Sequence, residues 1–224
     1  MILISSISAD QQFAPMSSVA NVQSSEHVEK VAEASFPCRW GAFRIHGFHN
    51  GAKEPPREVV ALTLGEIAGA EAPLVRIHSQ CMTGEVFGSL RCDCGGQLGL
   101  ALTRIAEYGA GVLVYDTQEG RGIGLLNKLR AYELQDGGAD TVEANRELGF
   151  DADPRNYALS IGVLRYFRLT RIRLLSNNPA KVGALERAGF HIDERVPCQP
   201  PIGDLALGYL RTKKEKLGHM IQGL

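Results

Sequence analysis

The run Gly111-Val112-Leu113-Val114-Tyr115, with its continuation Asp116-Thr117-Gln118-Glu119-Gly120-Arg121-Gly122-Ile123-Gly124-Leu125, decides the fold class. A short apolar run that opens on glycine reads as a buried strand. The glycine-rich turn after it leads into Leu125, Leu126, Leu129 and Tyr132, spaced for a helix. Upstream, Leu98, Ala101, Leu102 and Ile105 fall on one helix face, and Gly109 and Gly111 end that helix. Before it, residues 42–46, 58–64 and 74–79 read as strands. Downstream, Tyr157, Ile161 and Leu164 mark a third helix and residues 171–175 a strand. Ser176-Asn177-Asn178-Pro179 is a helix-start signature; that helix stops at Gly189, and residues 190–192 lead into a last strand. Strands alternating with helices predict an α/β fold, a mixed sheet with flanking helices in a single domain over residues 35–224. Residues 1–30 are rich in Ser, Gln, Ala and Val without a steady period, and order is expected from Phe36, so residues 1–34 read as a flexible extension.

The 224 residues carry 24 Lys plus Arg against 25 Asp plus Glu, a net charge of -1. That balance argues against a protein that coats nucleic acid by bulk charge. No apolar run approaches the roughly 18–20 residues needed to span a bilayer. The first residues, Met1-Ile2-Leu3-Ile4-Ser5, lack a basic segment and a sustained apolar stretch, so no secretory leader is expected. The cysteines are Cys38, Cys81, Cys92, Cys94 and Cys198. An odd number with three clustered is not a disulfide framework, and a cytoplasmic setting is the simplest expectation.

Three segments carry chemistry. Cys81, Cys92 and Cys94 come from two nearby stretches and could hold Zn²⁺ with the fourth tetrahedral position open, as catalytic zinc sites do. The alternatives are three core thiols, or a structural site closed by a histidine such as His78. Glu119-Gly120-Arg121-Gly122 follows a strand and opens a helix; it reads as a phosphate cradle with Arg121 as a bidentate donor, or as a tight turn with a solvated arginine. Ser176 to Lys181 repeats the strand-to-helix arrangement with a lysine in reach, or is an N-cap followed by a surface lysine. Arg76 and His78 stand at the end of the strand before the cysteines.

Taken together, Arg76-Ile77-His78-Ser79-Gln80-Cys81 through Cys92-Asp93-Cys94, Gln118-Glu119-Gly120-Arg121 through Tyr132, Asp140 to Asn145, Leu174 to Pro179 and Tyr209 to His219 resemble the GTP cyclohydrolase II family. The resemblance covers about residues 36–222. It implies conversion of GTP to formate, pyrophosphate and a diaminopyrimidine ribosyl phosphate, the entry step of riboflavin synthesis. It implies one Zn²⁺ per subunit on Cys81, Cys92 and Cys94, activating water for attack at C8 of guanine, and Mg²⁺ at the triphosphate. It implies that Tyr132 orients or protonates the base, that Asp153 is a proton acceptor and that Arg155 is a nucleophile towards the α-phosphate. GTP contacts are implied for Arg76, Ile77, His78, Ser79, Gln80, Gln97, Glu119, Gly120, Arg121, Thr141, Ser176 and Lys181, and a homodimer is implied as the assembly. A family variant stopping at a formamidopyrimidine, and a non-catalytic zinc protein that binds GTP, are the competing readings. The family pattern has Glu where this chain has Gln80, Arg where it has Thr117 and Thr where it has Ser176.

Overall fold

The computed structural model describes residues 27–51 and 57–224. The apolar runs become the inner strands of one seven-stranded sheet. In chain order the strands are β1 (Glu29–Cys38), β2 (Gly41–His49), β3 (Glu58–Leu64), β4 (Leu74–Ser79), β5 (Gly111–Asp116), β6 (Arg171–Leu175) and β7 (His191–Val196). Across the sheet they run β1-β2-β3-β5-β4-β6-β7. From β1 to β5 the neighbours are antiparallel; from β5 through β4 and β6 to β7 they are parallel. Parallel neighbours need a crossover. Helix α2 (Cys94–Tyr108) links β4 to β5, and α6 (Pro179–Arg187) links β6 to β7. Helix α5 (Ala158–Tyr166) precedes β6. The expected α/β class and mixed sheet are what the structure shows.

Both faces of the central parallel strands are covered, which is why β5 reads as a continuous apolar run. Val75, Ile77, Val112 and Val114 pack with Leu159, Val163 and Leu164 of α5 and Leu185 of α6. Leu74, Leu113 and Leu175 pack with Ala101, Leu102 and Ile105 of α2. Period-two alternation therefore puts Arg76 and His78 on the α2 side of β4 and Ile77 on the other. Asn178 caps α6, accepting from Ala180 N at 2.8 Å, with Pro179 in the first turn, as the sequence signature anticipates.

Two elements show what the sequence pattern left open. The first strand among the described residues already starts at Glu29, ahead of Phe36. Strand β1 is exposed along almost its whole length, so it has no burial alternation to read. It is held by its ladder to β2, from Glu29↔His49 to Cys38↔Gly41, across a two-residue turn at Arg39-Trp40. Residues 1–26 of the expected extension lie outside the described residues. Helix α3 (Leu125–Asp136) exists where expected, but its leucine stripe faces outward: Leu126 is 74% exposed and Leu129 43%. The inward face carries Lys128, Ala131, Tyr132 and Gln135, because it lines a polar cavity rather than a core. Helices α1 (Met82–Glu85), α4 (Thr141–Glu147) and α7 (Leu207–Leu217) complete the fold. Among the described residues no helix is long and apolar enough to cross a membrane.

Candidate active site

The turns that leave β4, β5 and β6 all lie at the carboxyl ends of parallel strands, where open α/β sheets bind their ligands. They are Gln80-Cys81, Glu119 to Gly124, and Ser176 to Asn178, and they border one cavity. Its lining includes Arg76, His78, Ser79, Gln80, Gln97, Glu119, Gly120, Arg121, Thr141, Ser176 and Lys181, together with Cys81, Cys92, Cys94, Tyr132 and Arg155. Two residues singled out from the sequence are elsewhere. Ile77 is 1% exposed and belongs to the core; it offers the site only its carbonyl, which accepts from Lys181 Nζ at 2.8 Å. Asp153 stands behind Arg155 rather than on the cavity wall.

The three Sγ atoms of Cys81, Cys92 and Cys94 lie within 4.8 Å of one another, those of Cys81 and Cys92 at 3.7 Å. Tetrahedral zinc with Zn–S bonds of about 2.3 Å spaces its sulfurs about 3.8 Å apart, so the set fits the ion. Hydrogen bonds from Cys92 and Cys94, then the Lys128 ammonium, pull the Cys81 thiol far below its usual range. The same contacts, and burial, push Cys92 and Cys94 up. Three thiols this close do not all ionise without a cation among them. His78 does not close the site: its Nε2 is bonded to Glu85 Oε1 at 2.8 Å, and burial lowers its pKa to about 4. Among the described residues the three cysteines form the one such metal-ligating group.

Glycines let the two cysteine segments meet. A Cβ on Gly84 would stand 2.9 Å from Cys92 Sγ and 3.3 Å from Cys81 Sγ, and one on Gly95 would stand 2.5 Å from the Gly84 carbonyl. Gly84→Ala should therefore cut bound zinc at least about 10-fold by spreading the sulfurs, the scale of a disturbed metal surrounding. Metal analysis of the purified variant checks this, and full zinc occupancy would refute it.

The rest of the lining is cationic. Arg76, Arg91, Arg121, Lys128, Arg155, Lys181 and Lys213 face the cavity, and Glu119 is the sole carboxylate among the described lining residues. The chain's net charge of -1 hides this concentration. Lys181, expected either at a phosphate or on the surface, is 4% exposed. Burial, then the charges of Arg76 and Arg155, depress its pKa strongly, so an anion in the cavity would stabilise its charged form. Arg76 Nη1 donates to the Leu175 carbonyl at 3.0 Å and Nη2 to Gln97 Oε1 at 2.6 Å. Gln97 Nε2 in turn donates to Asp93 Oδ2 at 2.5 Å, and Asp93 pairs with Lys213 at 3.2 Å. Arg155 Nε donates to Asp153 Oδ1 at 2.6 Å, its Nη2 meets Asp153 Oδ2, and Nη1 reaches Ser79 Oγ at 3.4 Å. Burial opposes the Arg155 charge, but the bond to Asp153 outweighs it and raises its pKa further. Burial likewise opposes ionisation of Asp153, and the Arg155 guanidinium overcomes that and lowers its pKa.

The glycine-rich loop is braced by its own contacts. Gly120 N donates to Glu119 Oε1 at 2.9 Å and Gly124 N to the Glu119 carbonyl at 3.0 Å, so these amides are used inside the loop. Glu119 Oε2 accepts from Met82 N at 2.6 Å, and Oε1 from Lys128 Nζ at 2.8 Å. Glu119 thus ties the loop to the segment that follows Cys81. Arg121 sits at φ 60, a left-handed conformation uncommon outside glycine, and its buried Nη2 has no protein partner. Thr117 Oγ1 donates to the Glu58 carbonyl at 2.8 Å, anchoring the loop to β3.

Several site residues were missed in the sequence. Lys128 Nζ lies 3.1 Å from Cys81 Sγ and 2.9 Å from Thr83 Oγ1. Thr83 Oγ1 is 3.2 Å from Tyr132 Oη. Lys128 and Tyr132 are one turn apart in α3, a spacing that could have paired them. Glu85 accepts from Cys81 N at 2.9 Å and from Tyr115 Oη at 2.6 Å besides His78. It supplies the buried carboxylate near the thiols that Gln80 lacks. Helix α4, which carries Thr141, starts with an Asp140/Glu143 capping box that the sequence displays. Tyr209, Lys213 and His219 reach the cavity from the C-terminal segment; no local signal points them there. That segment is fastened by Met220 N to the Asn177 carbonyl at 2.8 Å.

Comparison with known proteins agrees with this arrangement. The sequence model of the GTP cyclohydrolase II family matches residues 29–197. GTP cyclohydrolase-2 of Pseudomonas paraeruginosa is 54% identical over 194 residues, 87% of this chain and 94% of that protein. GTP cyclohydrolase-2 of Shewanella amazonensis is 50% identical over 194 residues, with the same coverage of both chains. A riboflavin biosynthesis protein of Vibrio vulnificus is 52% identical over 193 residues; the match takes 86% of this chain but 52% of that protein, so this chain spans about half its length. With the family model spanning the sheet from β1 to β7 and relatives matched over nearly their whole length, the chain belongs to the GTP cyclohydrolase II family of hydrolases.

Proposed function

We propose that this enzyme opens the five-membered ring of GTP, releasing C8 as formate and the outer phosphates as pyrophosphate, and leaves a diaminopyrimidine ribosyl phosphate for riboflavin synthesis. The observation that carries this reading is one cavity in which three clustered thiols face a cationic lining. Hydrolysis at an electron-poor ring carbon and binding of a triphosphate are the two things such a cavity serves. Cys81, Cys92 and Cys94 would hold zinc, which when bound lowers the pKa of water to roughly 7 and polarises an electrophile.

The chain's own residues do the rest. Burial keeps the Tyr132 phenol protonated, so it can donate to a ring nitrogen as the base is attacked. Thr83 and the cations of Lys128 and Arg91, set over its ring, hold it in place. Arg76, Arg121, Lys181 and Arg155 are suited to the triphosphate, and Mg²⁺ is the expected companion of that group. We assign Arg155 as an electrostatic clamp on the phosphoryl group rather than as a nucleophile. Its pairing with Asp153 makes loss of its proton harder, and a protonated guanidinium has no lone pair to attack with. Asp153 then serves to aim Arg155. We extend the homodimer and the cytoplasmic setting implied by the resemblance as part of the same reading.

The test is to incubate zinc-loaded protein with GTP and Mg²⁺ and identify every small product by mass spectrometry. Formate, pyrophosphate and the diaminopyrimidine together are expected. A product that retains the formyl mass would replace this reading with the formamidopyrimidine variant. Saturable GTP binding with no product would replace it with a binding protein.

A further inference from the structure

Helix α4 presents Thr141 and Asn145 to the cavity from one face, one turn apart. The Asn145 side chain has no task in the fold. The residue is 3% exposed, and its Nδ2 is buried with no hydrogen-bond partner in the protein. A buried amide donor left unpaired costs free energy unless something else accepts from it. Because Asn145 lines the cavity, that acceptor belongs to the ligand.

The neighbours say which part of a nucleotide meets it. Helix α4 packs on α3, whose Ala131, Tyr132 and Gln135 line the adjoining stretch of wall. The α3 cation, Lys128, is occupied by Cys81, Thr83 and Glu119. The cations suited to phosphate come from other elements: Arg76 from β4, Arg121 from the loop after β5, Lys181 from α6 and Arg155 from the approach to α5. A neutral amide beside an aromatic side chain suits a neutral carbonyl oxygen better than a phosphate. In a guanine base that oxygen is the 6-oxo group, whereas a purine without it offers no acceptor at that position.

We propose that Asn145 is a base-reading residue, donating from Nδ2 to the 6-oxo group of the bound guanine. The inference rests on GTP being the substrate, as proposed above. It makes Asn145 a specificity determinant, next to Tyr132 in the handling of the base.

The test uses the zinc-loaded full chain and displacement of a fluorescent ribose-labelled GTP, read within seconds of mixing so that turnover does not enter. The competitors are GTP and 2-aminopurine riboside triphosphate, which lacks the 6-oxo group. The wild type should bind GTP about 10- to 100-fold more tightly than the analogue, the range for one buried donor left unpaired. Asn145→Leu should bring the two affinities within about 3-fold of each other, by weakening GTP and leaving the analogue unchanged. Asn145→Ser, whose hydroxyl is too short to reach the same atom, should do likewise and serves if the leucine variant fails to fold. Zinc content and melting temperature should stay at wild-type values in the variant used. Retained preference for GTP in a folded variant would overturn the inference and leave the proposed function standing. Failure of labelled GTP to bind wild type would overturn the proposed function, and the inference with it.

Discussion

Cys92→Ser is expected to empty the metal site and reduce formate release at least about 10³-fold, equivalent to roughly 4 kcal/mol at 1.36 kcal/mol per tenfold. The reason lies in the thiol cluster. Cys92 stands 3.7 Å from Cys81 Sγ, and both are closely packed with Cys94. A serine hydroxyl does not ionise near neutrality, so the substitution leaves two thiolate donors where zinc needs at least three protein ligands. The Lys128 ammonium, 3.1 Å from Cys81 Sγ, then becomes the counter-ion of the remaining thiolate. Metal analysis and a formate assay on the same preparation check the expectation. Formate release at the wild-type rate from protein without zinc would end the metal assignment. Because Cys81 immediately precedes α1 and Cys94 begins α2, losing the metal that joins them should also lower the melting temperature.

Arg155→Ala should lower pyrophosphate release about 10³-fold, the scale on which an arginine that stabilises a transferring phosphoryl group acts. Zinc content should not change, since Arg155 touches Asp153 and Ser79 and not the thiols. Arg155→Lys should retain part of the rate, because it keeps the charge and loses the two-pronged contact with Asp153. The clamp and nucleophile assignments separate on a second readout. A nucleophilic Arg155 passes through a covalent nucleotidyl adduct, which intact-protein mass spectrometry of wild type quenched during turnover would detect. The clamp predicts no adduct on Arg155, and an adduct there would restore the nucleophile. Normal pyrophosphate kinetics in Arg155→Ala would remove both roles.

How far the sequence could be read differs from element to element. Strand β5 was legible because it is covered on both faces and shows as an uninterrupted apolar run over residues 111–115. The cap of α6 was legible because Asn178 and Pro179 act on their own backbone within one turn. Strand β1 was not, because an exposed edge strand stands on its hydrogen-bond ladder and carries no burial pattern. The α3 leucines marked the helix but not its orientation, because a helix that lines a polar cavity turns its polar face inward.

The site divides in the same way. Cys81, Cys92 and Cys94 could be grouped from spacing, since metal ligands in short loops are a local arrangement. The contiguous segment Arg76 to Gln80 looked uniform in the sequence, yet strand alternation buries the Ile77 side chain and spares its neighbours for the cavity. Glu119 drew notice as a ligand contact, but both its oxygens are committed to Met82, Gly120 and Lys128. Lys128, Glu85, Lys213 and Asn145 become functional candidates only when distant segments are brought together.

By itself the sequence determined the α/β class, the order of the inner elements, the thiol cluster and the family resemblance, because each is written in local periodicity, capping or spacing. The tertiary structure alone decided which side chains share the cavity, which charges are paired and which are left facing a ligand, and which buried donors have no partner. Those properties depend on burial and on distances between residues far apart in the chain, such as Lys181 and Ile77 or Lys213 and Asp93. They arise only when the sheet brings the ends of β4, β5 and β6 side by side.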